Sequence, residues 1–234
     1  MSRRKKKSGL SIPIVNVCMN IEEIETNINE MVVTNFPAFQ IIIDNLNNHN
    51  IQKLYCIGIG DLCKSSAARL QTALILKAAH SCSITDLFYY DPVLCENCKN
   101  IITKLGFQCG QENPEGCYTF QEKVAFFMPH CPRFIYHNLL VTNWNPLLMK
   151  NMFIIGNSFS MYEEKYRMFL QKTKTAVEDI FSKGIIDEVS LDFLKNEFFD
   201  STSIMMVNEA KLKEIEESFW EKREILHDAP DAAQ

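Results

Sequence analysis

The chain has no long apolar run, and this absence excludes an ordinary membrane-spanning helix. Nowhere in its 234 residues does an uninterrupted apolar stretch reach the roughly 18 residues that such a helix needs. The basic run Arg3 to Lys7 is followed by Ser8 and Gly9 instead of an apolar segment, so we also expect no secretory signal. The sequence therefore predicts a protein without membrane contact.

The cysteines lack the pattern of a disulfide framework. There are nine of them, an odd number, and they are scattered along a chain for which we expect no export signal. Such usage favours a reducing compartment, because disulfides persist mainly in secreted proteins. We expect a cytoplasmic protein without disulfides.

A zinc ribbon is also incomplete in this sequence. Cys95-x-x-Cys98 has the spacing of one zinc knuckle, but a ribbon pairs two knuckles and the sequence holds no second Cys-x-x-Cys. The cysteines at 109, 117 and 131 are isolated, and the pair at 95 and 98 falls inside a predicted helix. We predict no metal site, and the order of elements does not match a thioredoxin-like redox protein.

Basic residues are scarce outside the first ten positions. The formal net charge is −5, from 24 basic and 29 acidic residues, and five of the basic ones form the run Arg3 to Lys7. The rest of the chain has 19 basic residues against 29 acidic ones, so direct nucleic-acid binding is disfavoured. The basic run itself is either a nuclear-localisation signal or a solubilising tail.

The remaining composition is that of a globular protein with one main domain, since 47% of the residues are hydrophobic and 23% charged. We predict a disordered basic tail at 1–18, a single domain at 19–207, and a C-terminal part at 208–234. In that last part Asn208 to His227 has the pattern of an amphipathic charged helix, followed by a frayed end. The chain contains no internal repeat.

Short apolar runs alternate with helical patterns through most of the domain. This order predicts right-handed crossovers and a parallel sheet, hence an α/β fold of the Rossmann-like kind, with an open, mostly parallel sheet and helices on both faces. The predicted strands are 54–57, 85–90, 107–109, 124–128 and 152–155, and the predicted helices are 21–31, one from Pro37, 66–79, 93–105, 133–143, 161–170 and 175–181.

Polar or glycine-bearing clusters directly follow four of the predicted strands. Because the carboxyl ends of parallel strands lie at one edge of the sheet, we expect the four clusters to converge there and to form a ligand pocket. The candidate ligand-binding residues in these clusters are Gly58, Gly60, Asp61, Asp91, His130, Asn157 and Ser158.

The first two clusters each allow a binding and a structural interpretation. Gly58-x-Gly60 permits close approach of a phosphate or an adenosine group to the next helix, but the third glycine of a dinucleotide fingerprint is absent, and the turn could simply pack. Asp91 stands where Rossmann-like proteins often bind a ribose hydroxyl. Since Pro92 follows it, the better explanation of Asp91 is that it caps a helix with proline at its first position.

The other two clusters are similarly ambiguous. His130 lies in the stiff turn Pro129 to Pro132, where it could act as a general base, a hydrogen-bond donor or a metal ligand, or be a buried structural histidine. Asn157 and Ser158 could bind a ligand or cap the next helix, and capping is the better explanation. The elbow Gly-x-Ser-x-Gly of serine hydrolases is absent.

Several motifs follow one another between about residues 53 and 162. They are Tyr55-Cys56-Ile57-Gly58-Ile59-Gly60, Ser66 with Gln71, Tyr90-Asp91-Pro92-Val93, Phe127 to Pro132, Tyr136-His137-Asn138-Leu139-Leu140, Asn143-Trp144 and Ile155-Gly156-Asn157-Ser158-Phe159. Together these motifs resemble the SRR-like family, named for plant "sensitivity to red light reduced" mutants. An Asn-Asp-Thr-Ser-like segment usually closes the family's domain, and Phe199 to Ser203 matches it only in part.

The resemblance implies a cytoplasmic and nuclear regulatory protein without an established reaction. In plants the family is linked to light input and the circadian clock, and in animals to clock-gene expression and heme biosynthesis. We therefore favour a regulator whose pocket binds a small molecule or a protein partner, with no cofactor assigned. The alternative is an enzyme, methyltransferase-like, that uses S-adenosylmethionine or a nucleotide in the same pocket.

Overall fold

The computed structural model describes residues 20–33, 37–169, 174–191 and 199–227. The predicted basic tail, with its run Arg3 to Lys7, lies outside these residues. No helix within the described ranges is long and apolar enough to cross a membrane. The domain limits at 18/19 and 207/208 stay predictions.

Seven strands form one sheet in the order β3-β2-β1-β4-β5-β7-β6. Pairing is parallel throughout, except that β7 runs antiparallel to both β5 and β6. The predicted α/β, Rossmann-like class with a mostly parallel sheet is confirmed. The strands are β1 (Lys53–Ile57), β2 (Asp86–Tyr90), β3 (Gln108–Cys109), β4 (Val124–Met128), β5 (Met152–Asn157), β6 (Ile186–Ser190) and β7 (Thr202–Val207).

Strand β4 shows why the sheet is covered on both faces. All five of its residues are buried, and successive side chains point to opposite faces of a strand. Val124, Phe126 and Met128 belong to one hydrophobic core, whereas Ala125 and Phe127 belong to the other. A continuous apolar run is therefore what this central strand requires.

Helices α1 to α4 pack on one face, and α5 to α8 pack on the other. The first core is mainly aliphatic, and the second is rich in aromatic rings. The helices within the described residues are α1 (Ile21–Glu30), α2 (Pro37–Asn48), α3 (Ser66–Ser81), α4 (Glu96–Lys104), α5 (Arg133–Thr142), α6 (Pro146–Met149), α7 (Phe159–Phe169), α8 (Ala176–Ser182) and α9 (Glu209–Leu212).

The helix predicted over Asn208 to His227 is wrong. Asn208 caps only the four-residue helix α9, a 3-10 helix follows at Glu217–Trp220, and residues 221–227 have no regular secondary structure. We call residues 216–227 the C-terminal strap. It lies along α5, where the side chain of Asn138 donates to the carbonyl of Leu226 over 2.8 Å, and just past this helix the indole nitrogen of Trp144 donates to the carbonyl of Phe219 over 3.0 Å. Within the short 3-10 helix, Phe219 and Trp220 pack against Trp144, which lies just after α5, so the apolar residues of this segment do not form one face of a long helix.

Candidate functional site

A cavity of 220 Å³ lies at the carboxyl edge of the sheet, between the ends of β1 and β4. The chain runs outward from β1 through β2 to β3 on one side and from β4 to β5 on the other, so this is the topological switch point of the sheet. Open α/β sheets usually bind ligands at such a point, because the loops diverge there. The residues that line the cavity are Ile57, Gly58, Tyr90, Asp91, Pro92, Asn113, Gly116, Tyr118, His130, Cys131, Pro132, Phe134 and Ile135.

The turn after β1 needs its first glycine for two reasons. Gly58 has φ +67°, a left-handed conformation that side chains rarely adopt, and a Cβ atom placed on it would lie 2.5 Å from Sγ of Cys131. Gly60 also has a positive φ, of +107°, but its Cβ would meet only Ala68 at 3.7 Å. The turn after β1 can therefore approach the turn after β4 closely only because residue 58 is a glycine, whereas Gly60 is not needed for this contact. Gly58 lines the cavity and Gly60 does not.

Asp91 lines the cavity, but backbone groups already engage both of its carboxylate oxygens. Oδ2 accepts from the N–H of Gly60 over 2.7 Å, and Oδ1 accepts from the N–H of Val93 over 2.9 Å. Helix capping by Asp91 is wrong, because α4 begins only at Glu96 and Cys95 is its N-cap residue. Asp91 instead joins the turns after β1 and β2, which leaves less of its carboxylate for a ribose hydroxyl.

His130 is exposed at the rim of the cavity, so the interpretation as a buried structural histidine is wrong. Its backbone is left-handed, with φ 64°, which is uncommon and costly for a residue with a side chain. Two contacts hold it: its N–H donates to Oδ1 of Asn157 over 2.9 Å, and its Nε2 lies 3.4 Å from the amide nitrogen of Gln71 on α3. The strained turn therefore presents an imidazole in a fixed place.

Asn157 and Ser158 lie outside the cavity lining and support the site. The amide of Asn157 donates to the carbonyl of Cys131 over 3.0 Å and to the hydroxyl of Tyr162 over 2.8 Å, which clamps the β4 turn. Oγ of Ser158 accepts from the N–H of Met161 over 3.0 Å, the contact expected of a residue that caps α7. For Ser158 the predicted capping is confirmed, whereas Asn157 clamps the turn after β4 instead of capping α7. Ligand binding by either residue stays a prediction.

Tyr136 on α5 joins the end of β4 to the end of β5. Its buried hydroxyl donates to the carbonyl of Met128 and accepts from the N–H of Asn157 over 2.8 Å. The same hydroxyl explains Gly156, since a Cβ there would lie 2.5 Å from it. Tyr136 is therefore a structural member of the family motif.

The cavity is mostly apolar, and one residue of its lining, Tyr118, carries a buried polar atom that the sequence did not reveal. The hydroxyl oxygen of Tyr118 is buried and has no hydrogen-bond partner among the described residues. Tyr118, Asn113 and Gly116 come from the long loop between β3 and β4, which begins at the same sheet edge but which the sequence analysis did not include among its four clusters. Buried hydroxyls are nearly always bonded, so this one is suited to bind a ligand acceptor.

Two titratable side chains that line the cavity, Cys131 and Tyr118, are held in their protonated forms. Burial raises the pKa of the Cys131 thiol to about 12, so this thiol is protonated at neutral pH, and it donates to the carbonyl of Ile57 over 3.4 Å. Burial likewise raises the pKa of the Tyr118 hydroxyl far above neutrality, so that it is a hydrogen-bond donor. The arrangement is suited to binding an apolar group that carries an acceptor.

Asp61 follows the β1 turn but contributes to a different cluster. Its Oδ2 pairs with the Lys64 ammonium at 3.0 Å, and its Oδ1 accepts from the N–H of Cys63 over 2.8 Å. Burial opposes ionisation, but the hydrogen bond and charge of Lys64 hold the pKa of Asp61 below its ordinary value. Of the four predicted clusters, those after β1, β2 and β4 each contribute to the cavity lining, and the one after β5 does not.

Comparison with known proteins identifies the family. The SRR1 domain family matches residues 21–223, which is most of the chain. The chain belongs to the SRR1 family. An SRR1-like protein from Mus musculus is 34% identical over 116 residues, which cover 48% of this chain and 47% of that protein.

A plant member matches a longer part of the chain. The protein Sensitivity to Red Light Reduced 1 from Arabidopsis thaliana is 25% identical over 146 residues, which cover 62% of this chain and 53% of that protein. The chain thus spans about half the length of the curated SRR1 relatives it matches. The resemblance drawn from the motifs is confirmed.

Among solved structures, a methyltransferase crystal structure is similar in fold. The SAH-bound methyltransferase PaMTH1 from Podospora anserina gives a TM-score of 0.43 at 12% identity, and the similarity covers 80% of this chain and 87% of that one.

Proposed function

We propose that this SRR1-family chain is a regulatory protein of light signalling, and that its cavity binds a small ligand or a partner's side chain without converting it. The name of the Arabidopsis relative supports the light-signalling part. The resemblance extends the proposal to the circadian clock and to regulation of heme biosynthesis, in the cytoplasm and the nucleus. The buried hydroxyl of Tyr118 carries the binding part.

The position of this hydroxyl supports a ligand over simple packing. An unbonded buried hydroxyl costs about 1–3 kcal/mol, so it is disfavoured unless something else is gained. Tyr118 lies in the cavity at the switch point, and Tyr55, Phe88 and Phe126 surround its ring with centroids 5.2–6.0 Å away. The rings hold the hydroxyl in place, and a ligand acceptor would satisfy it.

The size of the cavity supports binding of a small group. Its 220 Å³ is below the roughly 300–1,000 Å³ of sites that enclose drug-sized molecules. A single ring or one apolar side chain fits this space. A whole S-adenosylmethionine or a porphyrin would have to extend onto the surface, past His130 at the rim.

A thermal-shift screen on the full chain tests the proposal. The probes are S-adenosylmethionine, S-adenosylhomocysteine, ATP, NAD, protoporphyrin and single-ring aromatic acids. A ligand that binds only the folded state raises the melting temperature as its concentration increases. We expect Tyr118→Phe to raise the melting temperature of the unliganded protein, because it removes a buried hydroxyl that has no partner among the described residues, and to weaken the ligand about tenfold.

Tyr136→Phe is the matched control for this variant. Its hydroxyl makes two hydrogen bonds inside the protein, so we expect the free energy of unfolding to fall by about 1–3 kcal/mol with little change in ligand affinity. If Tyr118→Phe instead loses as much stability as Tyr136→Phe, the Tyr118 hydroxyl is structural and the proposal loses its main support.

A second pair of variants tests the cavity even if the ligand is unknown, because one of them fills the cavity and the other does not. Ile135 and Val141 are both half-buried on α5, but only Ile135 lines the cavity. We expect Ile135→Trp to abolish complementation of a loss-of-function background and Val141→Trp to retain it, at equal protein levels. Full complementation by Ile135→Trp, together with no shift from any probe, would place the functional site elsewhere.

The enzyme alternative rests on the loop Gly58-Ile59-Gly60, which follows β1 beside Asp91 at the switch point. It would be favoured if S-adenosylmethionine or a nucleotide raised the melting temperature at micromolar concentration. The engaged oxygens of Asp91 and the small cavity favour the regulatory function.

A further inference from the structure

Four side chains meet at the same sheet edge, outside the lining of the cavity, and we call them the thiol cluster. Two of them come from the loop between β1 and α3, and two from the start of α4. Each offers one potential ligand atom, and the four atoms lie within 4.8 Å of one another. The thiol cluster consists of Asp61, Cys63, Cys95 and Cys98.

The distances in the thiol cluster match a single tetrahedral ion. The Sγ atoms of Cys63, Cys95 and Cys98 are 3.4–3.5 Å apart, and Oδ1 of Asp61 is 3.3 Å from Sγ of Cys98. Sulfur ligands about 2.3 Å from a tetrahedral zinc ion are about 3.8 Å from each other. The three sulfurs therefore need to separate by only a few tenths of an ångström to hold one ion.

Local backbone structure places the ligand atoms. The N–H of Cys63 donates to Oδ1 of Asp61 over 2.8 Å, and the N–H of Ser65 donates to the backbone carbonyl of Asp61 over 2.9 Å. These two hydrogen bonds fold the loop after β1 into a tight turn. Cys95 is the N-cap residue of α4, and Cys98 lies in its first turn. The positive end of the helix dipole there favours thiolates.

Burial and charge also suit a structural ion. Cys98 is fully buried, Cys63 nearly so, and the carboxylate of Asp61 is 11% exposed. Three thiolates and one carboxylate would leave the zinc centre with two negative charges. The Lys64 ammonium at 3.0 Å from the outer oxygen of Asp61 and the first turn of α4 compensate part of this charge, as outer groups at zinc sites commonly do.

A redox or nucleophilic role fits the thiol cluster less well. Burial raises the pKa of the Cys98 thiol to about 11, and burial with the neighbouring thiols raises that of Cys63 further, whereas reactive cysteines have lowered pKa values. A disulfide would also require two sulfurs to approach from about 3.5 Å to about 2 Å.

We propose that the thiol cluster binds one structural Zn²⁺ through three thiolates and one carboxylate oxygen. Four protein ligands leave no open position, so the ion would be structural and not catalytic. It would tie the loop after β1 to the start of α4, next to the two turns that Asp91 joins. The thiols would release their protons on binding, so affinity would fall in acid.

Metal analysis of the full chain, purified under reducing conditions without a metal-affinity step, tests this proposal. We expect one zinc ion per chain by elemental mass spectrometry. Cobalt substitution should give the thiolate charge-transfer band in the near ultraviolet and the visible bands of a tetrahedral centre. Cys95→Ser removes one ligand but keeps a good N-cap residue, so it should fold and bind zinc at least about 100-fold more weakly.

Cys109→Ser is the control, because Cys109 is half-buried on β3 and outside the thiol cluster. It should retain one zinc ion per chain and the same cobalt spectrum. A chelator should lower the melting temperature of the parent and of Cys109→Ser, and should not affect Cys95→Ser. The proposal is overturned if the parent chain carries no zinc after growth with added zinc, if cobalt gives no tetrahedral spectrum, or if two cluster cysteines are found joined as a disulfide under reducing conditions.

Discussion

The turns after β1 and β4 face each other across the cavity and share a left-handed backbone conformation, but with different residues. Both have a left-handed residue just past the strand, Gly58 with φ 67° and His130 with φ 64°. Gly58 stands where a Cβ would meet Sγ of Cys131 at 2.5 Å, so no other residue fits without movement. His130 has room for its side chain and is exposed.

The difference between the two turns separates steric need from function. At Gly58 the glycine is required by packing, and its presence says little about a ligand. At His130 a glycine would relieve strain, yet a histidine is present and Asn157 helps to hold the turn. Strain that packing does not demand is the better indication of a functional side chain.

The largest effect is expected from Gly58→Ala. We expect the free energy of unfolding to fall by about 2–5 kcal/mol, from about 1–2 for a left-handed alanine and about 1–3 for overpacking against Cys131. Gly184→Ala is the matched control, because Gly184 has φ +68° and an added Cβ there would have no atom of the described residues within 4 Å, so it should cost only the first part. Urea unfolding measures both, and equal losses would show that contact with Cys131 is not limiting.

A second histidine, His137, which follows His130 along the chain, is expected to have a smaller and pH-dependent effect on the free energy of unfolding. His137 on α5 is buried: its Nδ1 accepts from the N–H of Ala176 over 3.0 Å, and its Nε2 donates to the carbonyl of Glu224 in the C-terminal strap over 2.9 Å. Burial, with the charges of Arg223 and Arg133, lowers the pKa of His137 below its ordinary 6.5.

The unfolded chain therefore binds this proton more readily than the folded one. The stabilisation by neutral His137 is complete above pH 6.5 and is lost as the pH falls through the lower folded-state pKa. We expect His137→Gln to reduce the loss of stability between pH 7 and 5, as followed by thermal unfolding, because glutamine can donate and accept without titrating. Parallel pH profiles for parent and variant would contradict the assignment.

The smallest effect on stability is expected from His130→Gly. Relief of the left-handed strain, about 1–2 kcal/mol, is partly offset by the backbone entropy of glycine, about 0.5–1 kcal/mol, so stability should rise by about 1 kcal/mol or less. Ser83→Gly, at an exposed left-handed residue outside the cavity lining, should do the same. Only His130→Gly should impair complementation, and an unimpaired His130→Gly would mean that the strained histidine has no function at this edge.

The sequence predicted the parallel part of the sheet because strands β1, β2, β4 and β5 are apolar runs that end in turn residues. It predicted neither β6 nor β7. Strand β6, with the sequence Ile-Asp-Glu-Val-Ser, lies at the edge of the sheet and is mostly exposed, so it has no continuous apolar pattern.

Sequence reasoning located part of the site and missed the rest for a physical reason. Gly58, Asp91 and His130 follow strands, and the topology brings such residues to one edge. Tyr118 does not directly follow a strand but comes late in the loop after the predicted strand 107–109, and its place in the cavity depends on how this loop packs against the rings of Tyr55 and Phe126. The thiol cluster was missed because its second pair is Asp61-x-Cys63, which no Cys-x-x-Cys search finds.

The order of the last two strands has a consequence for synthesis of the chain on the ribosome. Strand β6 is made before β7, but β7 is its neighbour in the sheet and lies between it and β5. Until β7 emerges, β6 has no place to pair, and the hydrogen-bonding edge of β5 is open as well. Asp187 and Glu188 place charges on β6 while it is unpaired. Charged side chains on an open strand discourage pairing with the strands of other chains.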